Sequence, residues 1–208
     1  MIRFTLTCFM LIWASSVFAT ANSDSTIVKK KKVNYYVQLT SGALTGCTSC
    51  DHNEFSLSMS LLQGARIASE WRVGAGVGLD SYRNWKTTSA IMSVGWDIIP
   101  NKSTPFVQIN YGMGLKAWRQ FSLEDWSNDA WTDTKVGYSF HPKIGYRFYS
   151  GDLNVAFEVG WKRQIISDYY EYPNNHWSGS QFIGGEPNRV TIKNKLNRMT
   201  FGVTVGWR

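Results

Sequence analysis

Two places in the sequence combine side chains that could do chemistry. The first is the segment "GCTSCDH", which places Cys47 and Cys50 three positions apart and follows them with Asp51 and His52. Thiols at this spacing can form a disulfide, act as a redox pair, or bind zinc together with the histidine. A redox pair needs a helix N-terminus or similar support for its thiolate, and the zinc site lacks a clear fourth ligand. We therefore favour a disulfide that closes a short loop, and the other two chemistries stay open as alternatives.

A second group of reactive side chains surrounds His141. Ser139 and Lys143 stand two positions to either side of it, and Glu158 lies in the next patterned segment. A histidine, a hydroxyl and a carboxylate are the groups that acid–base and nucleophilic catalysis use. Side chains two positions apart share one face of a strand, so these groups can also hydrogen-bond inside a fold. We interpret His141 as an interior hydrogen-bonding residue, with catalysis as the alternative, and we expect no cofactor and no metal.

The segments that hold these residues have the period of β-strands. At the end of the chain, "MTFGVTVGWR" places large apolar residues from Met199 to Trp207 at every second position, with small ones between them. A period of two is typical of a strand with one apolar face. The many glycines (18) and aromatic residues (10 Trp, 10 Tyr, 11 Phe) favour strands and tight turns over helices. The alternation occurs in eight segments: 33–42, 54–61, 70–80, 88–97, 105–118, 136–149, 153–162 and 199–208.

The connections between these segments alternate between long and short. The long ones cover residues 44–53, 80–87, 119–134 and about 167–194, and the short ones lie near 64, at 100–103 and at 150–152. An even number of strands, each close to the ~9–11 residues of a tilted membrane strand, is typical of outer-membrane barrels with long outer loops and short periplasmic turns. We predict an all-β fold, an eight-stranded antiparallel up-and-down transmembrane β-barrel. Both of its termini would lie in the periplasm.

Alternation alone leaves open whether the apolar face points inward, as in a soluble lipocalin-type barrel, or outward to lipid. Two features favour lipid. The polar face carries mainly Gly, Ser, Thr and Asn, which fit a narrow interior, whereas a water-facing surface normally carries many Lys and Glu. Aromatic residues also collect at the strand ends that adjoin the short turns, as expected at a bilayer interface. This predicted periplasmic aromatic belt comprises Tyr35, Trp71, Trp96, Phe148 and Trp207.

Two segments precede the first strand. Residues 1–21 contain an early arginine, an apolar stretch and small residues at 19–21, which is the pattern of a secretory signal peptide with cleavage near 19–21. Residues 22–32 form a basic periplasmic tail that ends in four lysines, and residues 33–208 form the barrel. The formal net charge is +7. Because an exported chain is kept apart from nucleic acid, we expect no nucleic-acid partner despite this charge.

The inward face of the predicted barrel carries charges of both signs. Unpaired charges in a low-dielectric lumen are costly, so we expect these side chains to pair across the lumen as a polar plug. An eight-stranded barrel is just wide enough for its own side chains to fill, so we expect no open pore. The predicted interior charge network is Glu54, Arg72, Asp80, Asp97, Lys116, Lys143, Arg147, Glu158, Lys162 and Arg198.

With its eight amphipathic segments, its loop asymmetry and its closing strand, the chain resembles the small eight-stranded outer-membrane barrel family, like the OmpX proteins and the OmpA transmembrane domain. The resemblance covers about residues 33–208. It implies contact with outer-membrane lipid and lipopolysaccharide, insertion by the outer-membrane assembly machinery, and a monomer. It also implies adhesion, envelope integrity or host-surface contact, with enzymes and pores in minority branches. In that family the closing strand ends in an aromatic residue; here Trp207 is followed by Arg208.

The expected function is therefore that of a non-enzymatic outer-membrane protein with an envelope-structural or surface-contact role. An external ligand would bind at its extracellular loops. The segment 168–190 holds three tyrosines, a tryptophan and a phenylalanine among small polar residues, which suits a recognition surface and equally suits strands that project above the membrane. The alternatives are a narrow transporter or pore and, less favoured, a lipid-modifying enzyme that uses His141. Lipid-modifying barrels place such residues on the lipid-facing side or the outer rim.

Overall fold

The computed structural model describes residues 34–46, 54–67, 70–99, 101–119, 131–172, 175–178 and 181–207. The predicted signal peptide and basic tail lie outside these residues. Within the described ranges, no helix is long and apolar enough to cross a membrane. The strands are β1 (Asn34–Gly46), β2 (Glu54–Ile67), β3 (Trp71–Ser81), β4 (Trp85–Asp97), β5 (Ser103–Arg119), β6 (Trp131–Ser150), β7 (Leu153–Tyr172), β8 (Asn175–Ser178), β9 (Gln181–Gly184) and β10 (Asn188–Trp207).

Eight of these strands close into one barrel. From β1 to β7, each strand pairs antiparallel with the next strand in the chain, and β10 pairs with both β7 and β1 to close the ring. The short strands β8 and β9 form a hairpin that is inserted in the chain between β7 and β10. A closed ring has no free sheet edge. This matters in lipid, because lipid cannot form hydrogen bonds with the unpaired backbone N–H and C=O groups of an edge strand. The predicted eight-stranded antiparallel up-and-down barrel is confirmed.

The two faces of the barrel wall have opposite character. Along β10, Phe201 and Val203 are 52% and 43% exposed, whereas Thr200 and Thr204 are buried. Side chains alternate across a strand, so the large apolar residues cover the outside while small and polar residues fill the lumen. All eight barrel strands carry exposed large apolar side chains. An apolar exterior of this extent is suited to lipid rather than to water.

The two strands that flank the longest predicted loop extend far beyond their apolar segments. The expected strands 153–162 and 199–208 are parts of 20-residue strands, which pair continuously from Leu153 and Trp207 to Tyr172 and Asn188. Much of the expected loop of residues 167–194 therefore consists of paired strands, and we call the extended parts of β7 and β10 the β7–β10 ribbon. Strand β6 also pairs with this part of β7, as far as Trp131 with Tyr170. The alternation fades there because residues beyond the apolar exterior no longer need an apolar outer face. Backbone pairing does not depend on that alternation, so the strands continue without it.

A β-bulge reverses the alternation near the outer end of β5. The register with β4 shifts next to Thr88, so that Leu115 is an extra residue on β5. An extra residue turns the side chains that follow it to the opposite face. Lys116 was predicted to face the lumen, but it is exposed, and its Nζ lies 5.1 Å from the centre of the Trp118 ring. Its assignment to the interior charge network is corrected here, because regular alternation cannot anticipate the bulge.

Candidate functional site

One carboxylate that several arginines share closes the lumen at the end where the short connections lie. We call this end the periplasmic end, as the sequence predicts, and the opposite end the outer end. Asp97, the last residue of β4, is fully buried. Its carboxylate pairs with Arg147 at 2.5 Å, Arg72 at 2.9 Å and Arg66 at 3.4 Å, and it accepts a 2.7 Å hydrogen bond from the Tyr149 hydroxyl. We call these five residues the Asp97 cluster. They come from β2, β3, β4 and β6, so the cluster ties together four strands of the ring.

Aromatic rings take up part of the excess positive charge in the Asp97 cluster. The Arg147 guanidinium lies 4.1 Å from the centre of the buried Phe106 ring, and the Arg72 guanidinium lies 5.6 Å from the Tyr36 ring. The negative face of an aromatic ring attracts a cation by about 2 kcal/mol where both are desolvated. Gly145 makes room for this arrangement, because a Cβ atom there would fall 2.7 Å from the Phe106 ring. The two aromatic rings therefore stabilise guanidinium groups that share the single carboxylate of Asp97.

Two buried lysine–carboxylate pairs lie in the middle of the lumen, and one of them crosses it. Lys162 on β7 contacts both oxygens of Asp80 on β3, at 2.7 and 2.6 Å, and the Ser58 hydroxyl donates to the same carboxylate at 2.6 Å. Because β3 and β7 are four strands apart in a ring of eight, this pair spans the full width of the barrel. Lys143 on β6 pairs with Glu158 on β7 at 2.7 Å. Side chains thus occupy the space that a pore would need.

A cavity of about 30 Å³ lies beside these pairs, and His141 lines it. Since each water needs about 10–15 Å³, the cavity has room for roughly two or three waters. Ser139 and Glu158 line the same cavity, but the Nε2 of His141 lies 2.9 Å from the Thr200 hydroxyl, on β10, and bonds to neither of them. His141 is thus hydrogen-bonded within the lumen wall.

Toward its outer end the lumen changes from charged to apolar. Five buried side chains form a cluster that we call the apolar cap: Leu44, Tyr82, Trp85, Ile166 and Leu196. Here the lumen is filled by close packing, which stabilises the fold through the apolar area removed from water. Burial also raises the pKa of the Tyr82 phenol, in the turn after β3, so this hydroxyl stays neutral at physiological pH.

One carboxylate binds polar groups around the apolar cap. Asp168 is buried on β7. It accepts hydrogen bonds from the Trp85 indole at 3.2 Å, the Thr134 hydroxyl at 2.5 Å and the Asn194 amide at 3.1 Å. These donors come from β4, β6 and β10, so Asp168 links strands around the outer end as Asp97 does at the periplasmic end. These three donors are neutral, in contrast to the arginines around Asp97.

The structure brings most of the predicted interior charges together in pairs, including Arg198 on β10 with Glu54 on β2. Alternation did not identify Arg66 or Asp168 as interior residues, nor any member of the apolar cap. Asp168 and the cap lie in or beside the segments 44–53, 80–87 and 167–194, whose composition is that of loops. These residues could be assigned to the lumen only if the strands were known to extend into these segments. The inward and outward positions could then be counted on from the apolar part of each strand.

The outer face carries the residues of the predicted periplasmic aromatic belt. Each lies near a strand end on the side of the barrel where the short connections lie and where β1 begins and β10 ends. Their exposed fractions are Tyr35 61%, Trp71 48%, Trp96 39%, Phe148 47% and Trp207 45%. The rings of Trp71 and Trp96 stack with their centres 6.0 Å apart, and the Trp96 indole donates to Glu70 at 3.4 Å. A ring with apolar neighbours on one side and a polar partner on the other suits a membrane–water interface.

Cys47, Cys50 and His52 lie outside the described residues, so the disulfide stays a prediction. Within the described part of the chain, no group of three His, Cys, Asp or Glu side chains is placed to hold a metal ion. The lumen carboxylates are bound instead by lysines, arginines and hydroxyl groups.

The chain is similar to known proteins in its fold. No family model matches it, and no curated protein matches it. Among solved structures, Neisserial surface protein A (NspA) is 13% identical with a TM-score of 0.54, over 85% of this chain and 99% of NspA. The outer membrane protein OprG from Pseudomonas aeruginosa is 8% identical with a TM-score of 0.45, over 85% and 96%. The KdgM porin is 9% identical with a TM-score of 0.28, over 83% and 98%.

The chain has the fold of an eight-stranded outer-membrane barrel. At 13% identity the similarity to NspA shows this architecture alone. One barrel fold serves several unrelated functions, so the function has to be argued from the residues of this chain.

Proposed function

We propose that the protein is an integral barrel of a Gram-negative outer membrane, with a closed lumen and an envelope-structural and surface-contact role. The observation that carries the proposal is the contrast between the two faces of the wall. The exterior is apolar on all eight barrel strands, and the interior is filled by ion pairs and packed side chains. Such a wall is stable where lipid surrounds it. Both termini would be periplasmic and the β7–β10 ribbon extracellular.

The closed lumen is supported by three successive layers of side chains. The Asp97 cluster lies at the periplasmic end and the apolar cap fills the outer end. Between them, the pair of Lys162 with Asp80 crosses the lumen, and the pair of Lys143 with Glu158 lies beside it on neighbouring strands. An ion that crossed the barrel would have to displace buried, paired charges, each with a desolvation cost of several kcal/mol. The narrow transporter is therefore the weaker candidate.

A non-enzymatic role is supported by the surroundings of His141. The cavity that it lines holds about 30 Å³, which is far too small for a lipid acyl chain. We expect the purified protein to leave lipopolysaccharide and phospholipid unchanged in mass spectrometry. Formation of a product, and its loss in His141→Ala, would establish the enzyme instead.

A surface-contact role is supported by the ribbon of β7 and β10. The last described pair of β10 with β1 is Met199 with Thr45, so the ribbon continues beyond the point where that pairing ends. Its exposed apolar side chains include Tyr172 at 43%, Val190 at 43% and Ile192 at 46%. Exposed aromatic and apolar groups above a membrane are suited to binding an external partner.

We further propose a monomer that the outer-membrane assembly machinery inserts. The ring is complete within one chain, because β10 pairs with β1, and it needs no strand from a second copy. The closing strand ends in the exposed Trp207.

The proposal is tested by membrane fractionation together with gel migration before and after boiling. A folded outer-membrane barrel fractionates with the outer membrane, and its compact form migrates differently from the boiled chain. We expect both behaviours for this protein. Recovery in the soluble fraction, or migration unchanged by boiling, would contradict the proposed location and role.

A further inference from the structure

Just beyond the apolar exterior of β6, β7 and β10, the outer face of the barrel becomes cationic. Lys135 on β6 pairs in register with Ser167 on β7, and Ser167 pairs in turn with Lys193 on β10. Two more cations, Lys195 and Arg163, follow toward the apolar surface on β10 and β7. We call these five residues the outer cationic patch.

All members of the patch share the outward face of the wall. Alternation from the exposed Met199 puts both β10 lysines on that face, and both are exposed. Alternation from the exposed Trp161 puts the two β7 members there as well. Neighbouring strands are about 4.8 Å apart, so the backbones of Lys135 and Lys193 are about 10 Å apart, with the small Ser167 between them. The backbones of two lysines thus flank one hydroxyl, and the Nζ of Lys135 lies 5.0 Å from the centre of the Tyr169 ring, one outward position farther along β7.

The patch begins where the apolar surface ends. On β10 the outward residues are apolar from Trp207 to Met199, a length that matches the ~9–11 residues of a tilted membrane strand. Trp161 and Tyr138, exposed at 37% and 43%, mark the upper edge of this surface on β7 and β6. Aromatic rings are typical of that interface. The next outward residues therefore lie at the level of the outer-leaflet headgroups.

The patch carries positive charge that its surroundings do not neutralise. Within the described residues, neither of its β10 lysines forms an ion pair. The Nε of Arg163 is buried without a hydrogen-bond partner in the same part of the chain. Among the described acids farther out on this face, Glu171 pairs with Arg189 at 2.8 Å. Asp133 accepts a 2.8 Å hydrogen bond from the Thr134 amide and keeps its charge, so it offsets at most one of the four positive charges of the patch.

We propose that the outer cationic patch binds the phosphate groups of an outer-leaflet glycolipid. Phosphate suits the patch because lysines bind it as point charges and a serine hydroxyl can donate to a third oxygen. The occupant is a lipid because the patch continues the lipid-contacting surface on the same face of the same strands. This inference rests on the proposed outer-membrane function, and it names the ligand that this part of the exterior contacts.

The test compares two triple variants with the same loss of charge. Lys135→Gln/Lys193→Gln/Lys195→Gln removes most of the patch. The control, Lys86→Gln/Lys102→Gln/Lys116→Gln, removes three exposed lysines from elsewhere on the chain. Each protein, folded in zwitterionic detergent, is titrated with bisphosphorylated lipid A and with its dephosphorylated form, and bound lipid is counted by native mass spectrometry.

A basic residue near an anionic lipid surface contributes roughly fivefold to binding, so we expect the patch variant to bind the phosphorylated lipid on the order of a hundredfold more weakly. The control should stay within about threefold of the unaltered protein, and the dephosphorylated lipid should bind weakly to all three. Equal losses in both variants, equal binding of the two lipids, or full displacement by millimolar inorganic phosphate would overturn the proposal. Heat-modifiable migration of each sample separates failure of this inference from failure of the barrel itself.

Discussion

The two ends of the lumen are closed by different chemistry. At the periplasmic end, Asp97 pairs with three arginines. At the outer end, five apolar and aromatic side chains pack together in the apolar cap. The first closure depends on one carboxylate, because its removal would leave the buried Arg72 and Arg147 without the carboxylate that they pair with. The packing of the apolar cap is shared among many contacts, so each side chain contributes only a part of the stabilisation at the outer end. The comparison indicates that a narrow barrel can be closed equally by charge or by packing, with different sensitivity to single changes.

The largest effect is expected for Asp97→Ala. Since the guanidinium groups of Arg72 and Arg147 would stay buried beside an empty site, we expect a loss of about 3–5 kcal/mol in the free energy of unfolding. Urea unfolding, followed by the fraction of compact protein on unboiled gels, measures it. Asp152→Ala is the matched control, because Asp152 is exposed in the turn between β6 and β7 at the same end of the barrel. A loss below 1 kcal/mol for Asp97→Ala, or equal losses for both variants, would show that the cluster does not depend on this carboxylate.

A smaller effect is expected for Leu196→Ala in the apolar cap. Leu196 is fully buried, so the truncation leaves a cavity and should cost about 2–5 kcal/mol, toward the lower value if neighbours relax into the space. Val190→Ala, at an exposed position of the same strand, should change the free energy of unfolding by less than about 0.5 kcal/mol. The same urea titration compares them. Equal values for the two variants would mean that the outer end of the lumen is not packed as described.

The smallest effect on the barrel is expected for the cysteine pair. We predict that Cys47 and Cys50 form a disulfide, so alkylation of freshly isolated protein should label neither thiol. Replacing both with serine should leave the compact gel form intact, because a bond that closes so short a loop constrains the unfolded chain only modestly. Quantitative labelling of both cysteines in the untreated protein would refute the disulfide.

In the periplasmic half of the barrel, the sequence predicted which residues face the lumen. In much of the outer half it did not. Arg72, Asp97 and Arg147 lie in segments of regular alternation, and alternation alone places them in the lumen. Their pairing could not be predicted, because the contacts across a barrel depend on the stagger of strands that are distant in the sequence. Arg66 was missed for a simpler reason: it lies past the apolar segment that was assigned to β2.

In the outer half, two physical effects hid the structure. A bulge on β5 reversed the faces beyond Leu115, which moved Lys116 to the exterior. Strands β7 and β10 also continue past the lipid-facing surface, where an apolar outer face is no longer required and alternation fades. Leu196 and Asp168 therefore had the sequence context of a loop although they lie on regular strands.

Planar-bilayer recording on the purified, heat-modifiable protein tests the closed lumen most directly. Both ends of the lumen are filled and the pair of Lys162 with Asp80 crosses its middle, so we predict silence, or rare small openings, across a range of voltages and salt concentrations. Steady, large currents with little ion selectivity would contradict the closed lumen and establish a pore in its place.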